Sequence, residues 1–179
     1  MKRLLVNTKI LMRRLAQAVG FVVGLSLVSV AQSSPQVHLN AEGLAPRPIE
    51  ELTGTTIVHH YAQAWSDMAA ALESSRPGTI SDEFVGQAKD RLKQRIAEQA
   101  KAGVHVHIID HGHQLKALFY STDGAAMQLI DQAQLEIQTF DGSKLLHTDN
   151  SLHKYMVLMT PGADRWYVRD LQEISEKDF

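Results

Sequence analysis

The densest concentration of chemistry in the chain is the run His105-Val106-His107-Ile108-Ile109-Asp110-His111-Gly112-His113, which holds four of the nine histidines. Imidazole is a metal ligand, and with an unperturbed pKa of about 6.5 it is the side chain whose charge changes near neutrality. Side chains alternate across a strand, so an uninterrupted strand would present His105, His107, His111 and His113 on one face, where neighbouring imidazoles suit zinc or copper. The competing expectation is an edge strand with Val104, Val106 and Ile108 packed inward and the histidines in water. In that case Gly112 marks a turn or bulge.

A second group, His59, His60, Tyr61, Trp65 and Asp67, lies on a stretch of helical spacing. Tyr61, Trp65 and Met68 share its apolar face and are the candidates for lining a pocket, while Asp67 falls off that face and should be solvated. A tyrosine with a buried Asp or His partner could polarise a ligand carbonyl. The same stripe could equally be plain core, and no residue is assigned a catalytic role. The chain has no Gly-rich phosphate loop, no Gly-x-Ser-x-Gly elbow and no His-Glu-x-x-His helix. Cysteine is absent, which excludes disulfides, thiolate metal sites and a cysteine nucleophile. No cofactor is expected.

The elements that must position these residues follow from periodicity. Ile57, Tyr61, Trp65, Met68, Ala69 and Leu72 predict a helix over about 55–75, with Thr55 and Thr56 as caps and Arg76-Pro77-Gly78 as the stop. Phe84, Val85, Ala88, Leu92 and Ile96 predict a second helix from an N-cap at Ser81 to a stop at Gly103. Beyond Gly103 the period changes from that of a helix to that of a strand. Strands are expected from Val104, at 114–121, 126–140, 144–159 and 165–174, separated by Asp123-Gly124, Asp141-Gly142 and Thr160-Pro161-Gly162. Helices followed by hairpin-connected strands make an α+β domain: N-terminal helices on an antiparallel sheet of four to five strands.

Upstream, Lys2, Arg3, Lys9, Arg13 and Arg14 precede the uncharged stretch Leu15–Ala31. That pattern predicts a signal peptide or a membrane anchor over 1–31, and hence an exported, periplasmic or extracytoplasmic domain that touches membrane only through this segment if it is uncut. Residues 32–48, with Pro35, Gly43, Pro46 and Pro48, read as a linker, and 49–179 as the domain. The net charge is −2 with cations scattered along the chain, which argues against a nucleic-acid surface.

The segment HHYAQAWSDMAAAL at 59–72, the long second helix, the strands QLIDQAQLEIQTFD and LHKYMVLMT, and the closing DRWYVRDLQEI at 164–174 together resemble the nuclear transport factor two-like superfamily. This group, also called SnoaL-like or ketosteroid-isomerase-like, has a cystatin-like α+β cone, and the resemblance covers about Ile49 to Ile174. It implies helices held in the hollow of a curved antiparallel sheet. The family hosts isomerases, dehydratases, small-ligand binders and protein-interaction domains, and its enzymes keep an acid or base in the cone. The leading expectation is a non-enzymatic interaction or assembly domain with a protein partner or a dimer through the open sheet face. The alternative is a pocket protein for a small apolar ligand or an isomerase- or dehydratase-type reaction, and a third reading is metal binding at 105–113. The run is also similar to the His-x-His-x-Asp-His pattern of metallo-β-lactamase-like hydrolases, but two residues separate His107 from Asp110, which departs from that tight loop.

Overall fold

A computed structural model describes residues 34–175; the expected leader lies outside the described residues. The chain runs β1 (Val37–Asn40), α1 (Glu51–Ser74), α2 (Gly86–Ala102), β2 (Val104–Tyr120), β3 (Met127–Asp141), β4 (Lys144–Pro161) and β5 (Trp166–Glu173). The five strands form one sheet in sequence order, antiparallel from β2 to β5, with β1 joined to β2 in parallel. The stretch expected as a linker therefore contains a strand of the sheet. Among the described residues no helix is long and apolar enough to cross a membrane.

Helix α1 buries Ile57, Tyr61, Ala64, Trp65, Met68, Ala71 and Leu72. This stripe recurs every three to four residues and lies against the sheet. Each large side chain withdrawn from water in this way contributes about 1.5–3 kcal/mol. The helix starts four residues before the expected position, and Thr55 and Thr56 bond back to the carbonyls of Glu51 and Leu52 instead of capping. Ser75, in the left-handed region, ends it; its hydroxyl donates to the Val104 carbonyl and accepts from Gln99 Nε2. That pair of bonds ties the end of α1 to α2 and to the start of β2.

Helix α2 begins at Gly86, not at Ser81. Val85 N–H donates to the Val168 carbonyl at 3.0 Å and Val168 N–H donates to the Glu83 carbonyl at 2.9 Å, so this segment is claimed by the edge of β5 before it can enter the helix. Gly103 closes α2 in the left-handed region, as its position predicts.

The decisive local feature is in β2. Its register against β3 shifts between Asp110 and His113, with Gly112 at φ +124°, a conformation that favours glycine. Asp110 Oδ1 accepts the Gly112 N–H at 2.8 Å. Before the bulge Val106 and Ile108 face the core; after it His113, Leu115 and Ala117 do. One extra residue has exchanged the two faces of the strand.

Candidate functional site

Because of that exchange, His113 enters the interior, where α1 and β3 meet it. Its Nδ1 bonds Asp131 Oδ2 at 2.7 Å and its Nε2 bonds Asp110 Oδ2 at 2.8 Å, while the Tyr61 hydroxyl donates to Asp131 Oδ2 at 2.7 Å. Tyr61, His113 and Asp131 are each 0% exposed. Trp65 covers the imidazole with ring centroids 4.5 Å apart, and Tyr61 meets it edge-on at 5.8 Å. Burial works against a charge on His113, but the bonds to Asp110 and Asp131 and their negative charges prevail and push its pKa up to about 9. Burial, then the Asp131 charge, pushes the Tyr61 phenol well above its ordinary range. Asp131 Oδ1 and Trp65 Nε1 are buried with no hydrogen-bond partner among the described residues.

The raised pKa and the two carboxylates hold a proton on His113, in a network with no exposure at Tyr61, His113 or Asp131. Both ring nitrogens of His113 are committed to carboxylates, so the imidazolium has no free lone pair to act as a base, and general catalysis requires contact with the reacting group.

The open space lies on the other side of Trp65. A cavity of about 330 Å³ runs between α2 and the sheet. Trp65, Met68, Phe84, Leu92, Leu135 and Tyr155 are among its apolar walls, and Arg91, Gln94, Arg95, Glu98 and Glu173 are its polar members. Of the three pocket candidates, Trp65 and Met68 line the cavity and Tyr61 does not. Trp65 and Tyr155 meet at 5.3 Å, edge to face. The volume and the apolar lining with a few polar groups match the lower end of the small-molecule pocket range.

The expectation that four histidines share one face is corrected by the bulge. His107 Nδ1 bonds Glu73 Oε2 at 2.7 Å, and His105 stacks on Phe140 with its Nε2 4.0 Å from Glu73. His111 is exposed, and His113 is sealed inside. Among the described residues no three His, Cys, Asp or Glu side chains converge as metal ligands. Asp67 is half-buried, not fully solvated, and accepts from Gln63 at 2.8 Å. Asp131 is not among the residues singled out from the sequence, and Asp110 enters there only as part of the histidine run. Asp131 had a signal: it shares the parity of Leu129, Ala133 and Leu135, so an acid interrupts an otherwise apolar face.

No family model matches the chain, and no curated protein does. Solved structures do. The intermembrane space region of the chloroplast protein ARC6 is similar at a TM-score of 0.59 with 15% identity, over 73% of this chain and 100% of that one. A protein from Catenulispora acidiphila is similar at 0.50 with 10% identity, over 72% of this chain and 97% of that one. A putative dehydratase from the NTF2-like family of Streptomyces avermitilis aligns at 0.44 with 11% identity, over 66% and 96%. This domain shares its fold with the ARC6 region and the Catenulispora acidiphila protein, and its two helices on a five-stranded, mostly antiparallel sheet match the α+β arrangement expected of the nuclear transport factor two-like group.

Proposed function

We propose that this domain is a non-enzymatic binding module that takes a small apolar ligand in the cleft between α2 and the sheet. The observation that carries the reading is the division made by Trp65: an open apolar cavity on one side, and on the other a histidine–carboxylate network with no exposure at Tyr61, His113 or Asp131. A ligand in the cavity meets mostly aliphatic and aromatic walls, with Glu98, Glu173 and Tyr155 among the lining, and the His113 network lies behind the Trp65 indole. With its N-terminal segment read as a leader, the module is proposed to work outside the cytoplasm, free or tethered.

The test uses N-phenyl-1-naphthylamine, an uncharged dye that brightens in apolar surroundings. Saturable brightening with the wild-type protein, and its loss in Leu171→Trp, which fills the cavity from β5, is the expected result. Brightening that survives Leu171→Trp in a folded variant would place the dye elsewhere and remove the reading.

A second reading, protein interaction or assembly, is favoured by a different feature. The β3–β4 hairpin runs past the end of β5, and Leu145, Leu146 and Leu152 there are each about half exposed. Leu146→Ser with Leu152→Ser would weaken self-association in sedimentation if this arm is a contact surface, including one between two copies.

A further inference from the structure

The polar groups of the cleft are unequal in a way that bears on ligand chemistry. Arg91 is paired with Asp170. Glu173 bonds His153 Nδ1 at 2.8 Å, and Glu98 accepts from Gln94 at 2.8 Å. Arg95 has no ion pair or hydrogen bond among the described residues and lines the cavity; burial and then the Glu173 carboxylate push the Tyr155 phenol up, and the charge of Arg95 opposes them. Tyr155 is 8% exposed; its ring forms cavity wall and its hydroxyl likewise makes no hydrogen bond among the described residues. The cleft therefore contains a cation and a phenolic donor within electrostatic reach of each other and without partners of their own. Arg95 is exposed, and what it offers a ligand oxygen is a charge and donors not already engaged by the protein.

We propose that the ligand of this cleft is an amphiphile with a single carboxylate, a medium-chain or aromatic acid. Its apolar body lies on Trp65, Met68 and Leu135, and its head lies between the Arg95 guanidinium and the Tyr155 hydroxyl. This rests on the cleft reading above and adds to it the sign of the head group. The guanidinium presents donors in a fork that matches a carboxylate, and Tyr155 O–H donates to the same group. An ammonium head is disfavoured by Arg95 at the same position. The Glu98 carboxylate lies on the same helix, one turn on, and sets a limit: a dianion would meet it, a monoanion need not.

The experiment is titration of the wild-type protein, Arg95→Gln and Tyr155→Phe with octanoate and with octanol, followed by calorimetry and by tryptophan fluorescence in a Trp166→Phe background that leaves Trp65 as the sole indole. Arg95 is exposed, so its substitution leaves the core intact. The expected result is that the wild type binds octanoate roughly fivefold more tightly than octanol, as fits a partly solvated charge contact. Arg95→Gln should bring the two ligands level, Tyr155→Phe should narrow the gap, and added salt should shrink it. Equal binding of acid and alcohol by the wild type, or a preference untouched by Arg95→Gln, would overturn the carboxylate assignment and leave the cleft standing. If neither ligand binds, the cleft reading falls and the carboxylate assignment with it.

Discussion

The charge buried at His113 makes stability depend on pH with a sign opposite to that of a histidine buried in apolar surroundings. The groups facing the ring are Asp110 on its own strand, Asp131 on β3 and Tyr61 on α1, with Trp65 between it and Tyr155 on β4. Its pKa is raised from 6.5 to about 9 in the folded protein, so folding favours the protonated ring. The stabilisation is fully present below pH 6.5, declines as pH climbs, and is gone above about 9. At about 1.4 kcal/mol per pH unit, the rise amounts to about 3 kcal/mol. That is a large share of the roughly 5–15 kcal/mol that holds a typical domain together. Urea unfolding at a series of pH values from about 6 to about 10 measures it, with His113→Gln as the reference in which this ring cannot titrate. The stability difference between wild type and variant should shrink by about 3 kcal/mol across that range. A difference that stays constant with pH refutes the argument. Removing the cation also leaves two carboxylates facing each other, which can cost about 3–5 kcal/mol. Should the variant fail to fold, the wild-type ring resonance of His113 decides the matter: titration near its ordinary value would refute the argument.

Three further outcomes are expected. Tyr61→Phe removes a hydrogen bond to a buried carboxylate and should lower stability by about 1.5–3 kcal/mol in urea melts, without changing octanol binding, because Tyr61 is not in the cavity lining. Gly112→Ala must hold a Cβ at φ +124° and should cost about 1–3 kcal/mol. The loss should show first as faster amide exchange at His113, whose N–H is bonded to the Gln36 carbonyl at 2.8 Å. Excess zinc should leave the melting temperature unchanged in both the wild type and His107→Ala; a rise that His107→Ala abolishes would establish the metal site that the arrangement around Glu73 argues against.

The layers of the fold were legible because they are written in period. The stripe from Ile57 to Leu72 is buried as expected, and a strand covers Met127–Asp141 where one was expected at 126–140. What sequence periodicity could not supply was the phase of β2. Counting by twos through Gly112 assigns His113 to the same face as His107, and a single bulged residue reverses that assignment. The start of α2 was missed for a related reason: Ser81, Asp82 and Glu83 have the local chemistry of a helix N-terminus, but the partner that holds this segment, Val168, is 85 residues away from Glu83 in the chain. Trp65 and Met68, two of the three candidates on the apolar stripe of the first helix, lie along the cleft between α2 and the sheet. Tyr61, on the same stripe, turned toward Asp131 because only the folded sheet shows which of its inward positions carries an acid.

The indole of Trp65 also sets an evolutionary distance. It is a partition one ring thick, with a receptacle for apolar molecules on one side and a ready-made acid–carboxylate pair on the other. Exchange of that single side chain for a small one would merge the two compartments and give a bound molecule access to a proton held by His113. On the binding-module reading proposed above, the step from a carrier to a reaction vessel is short in this architecture.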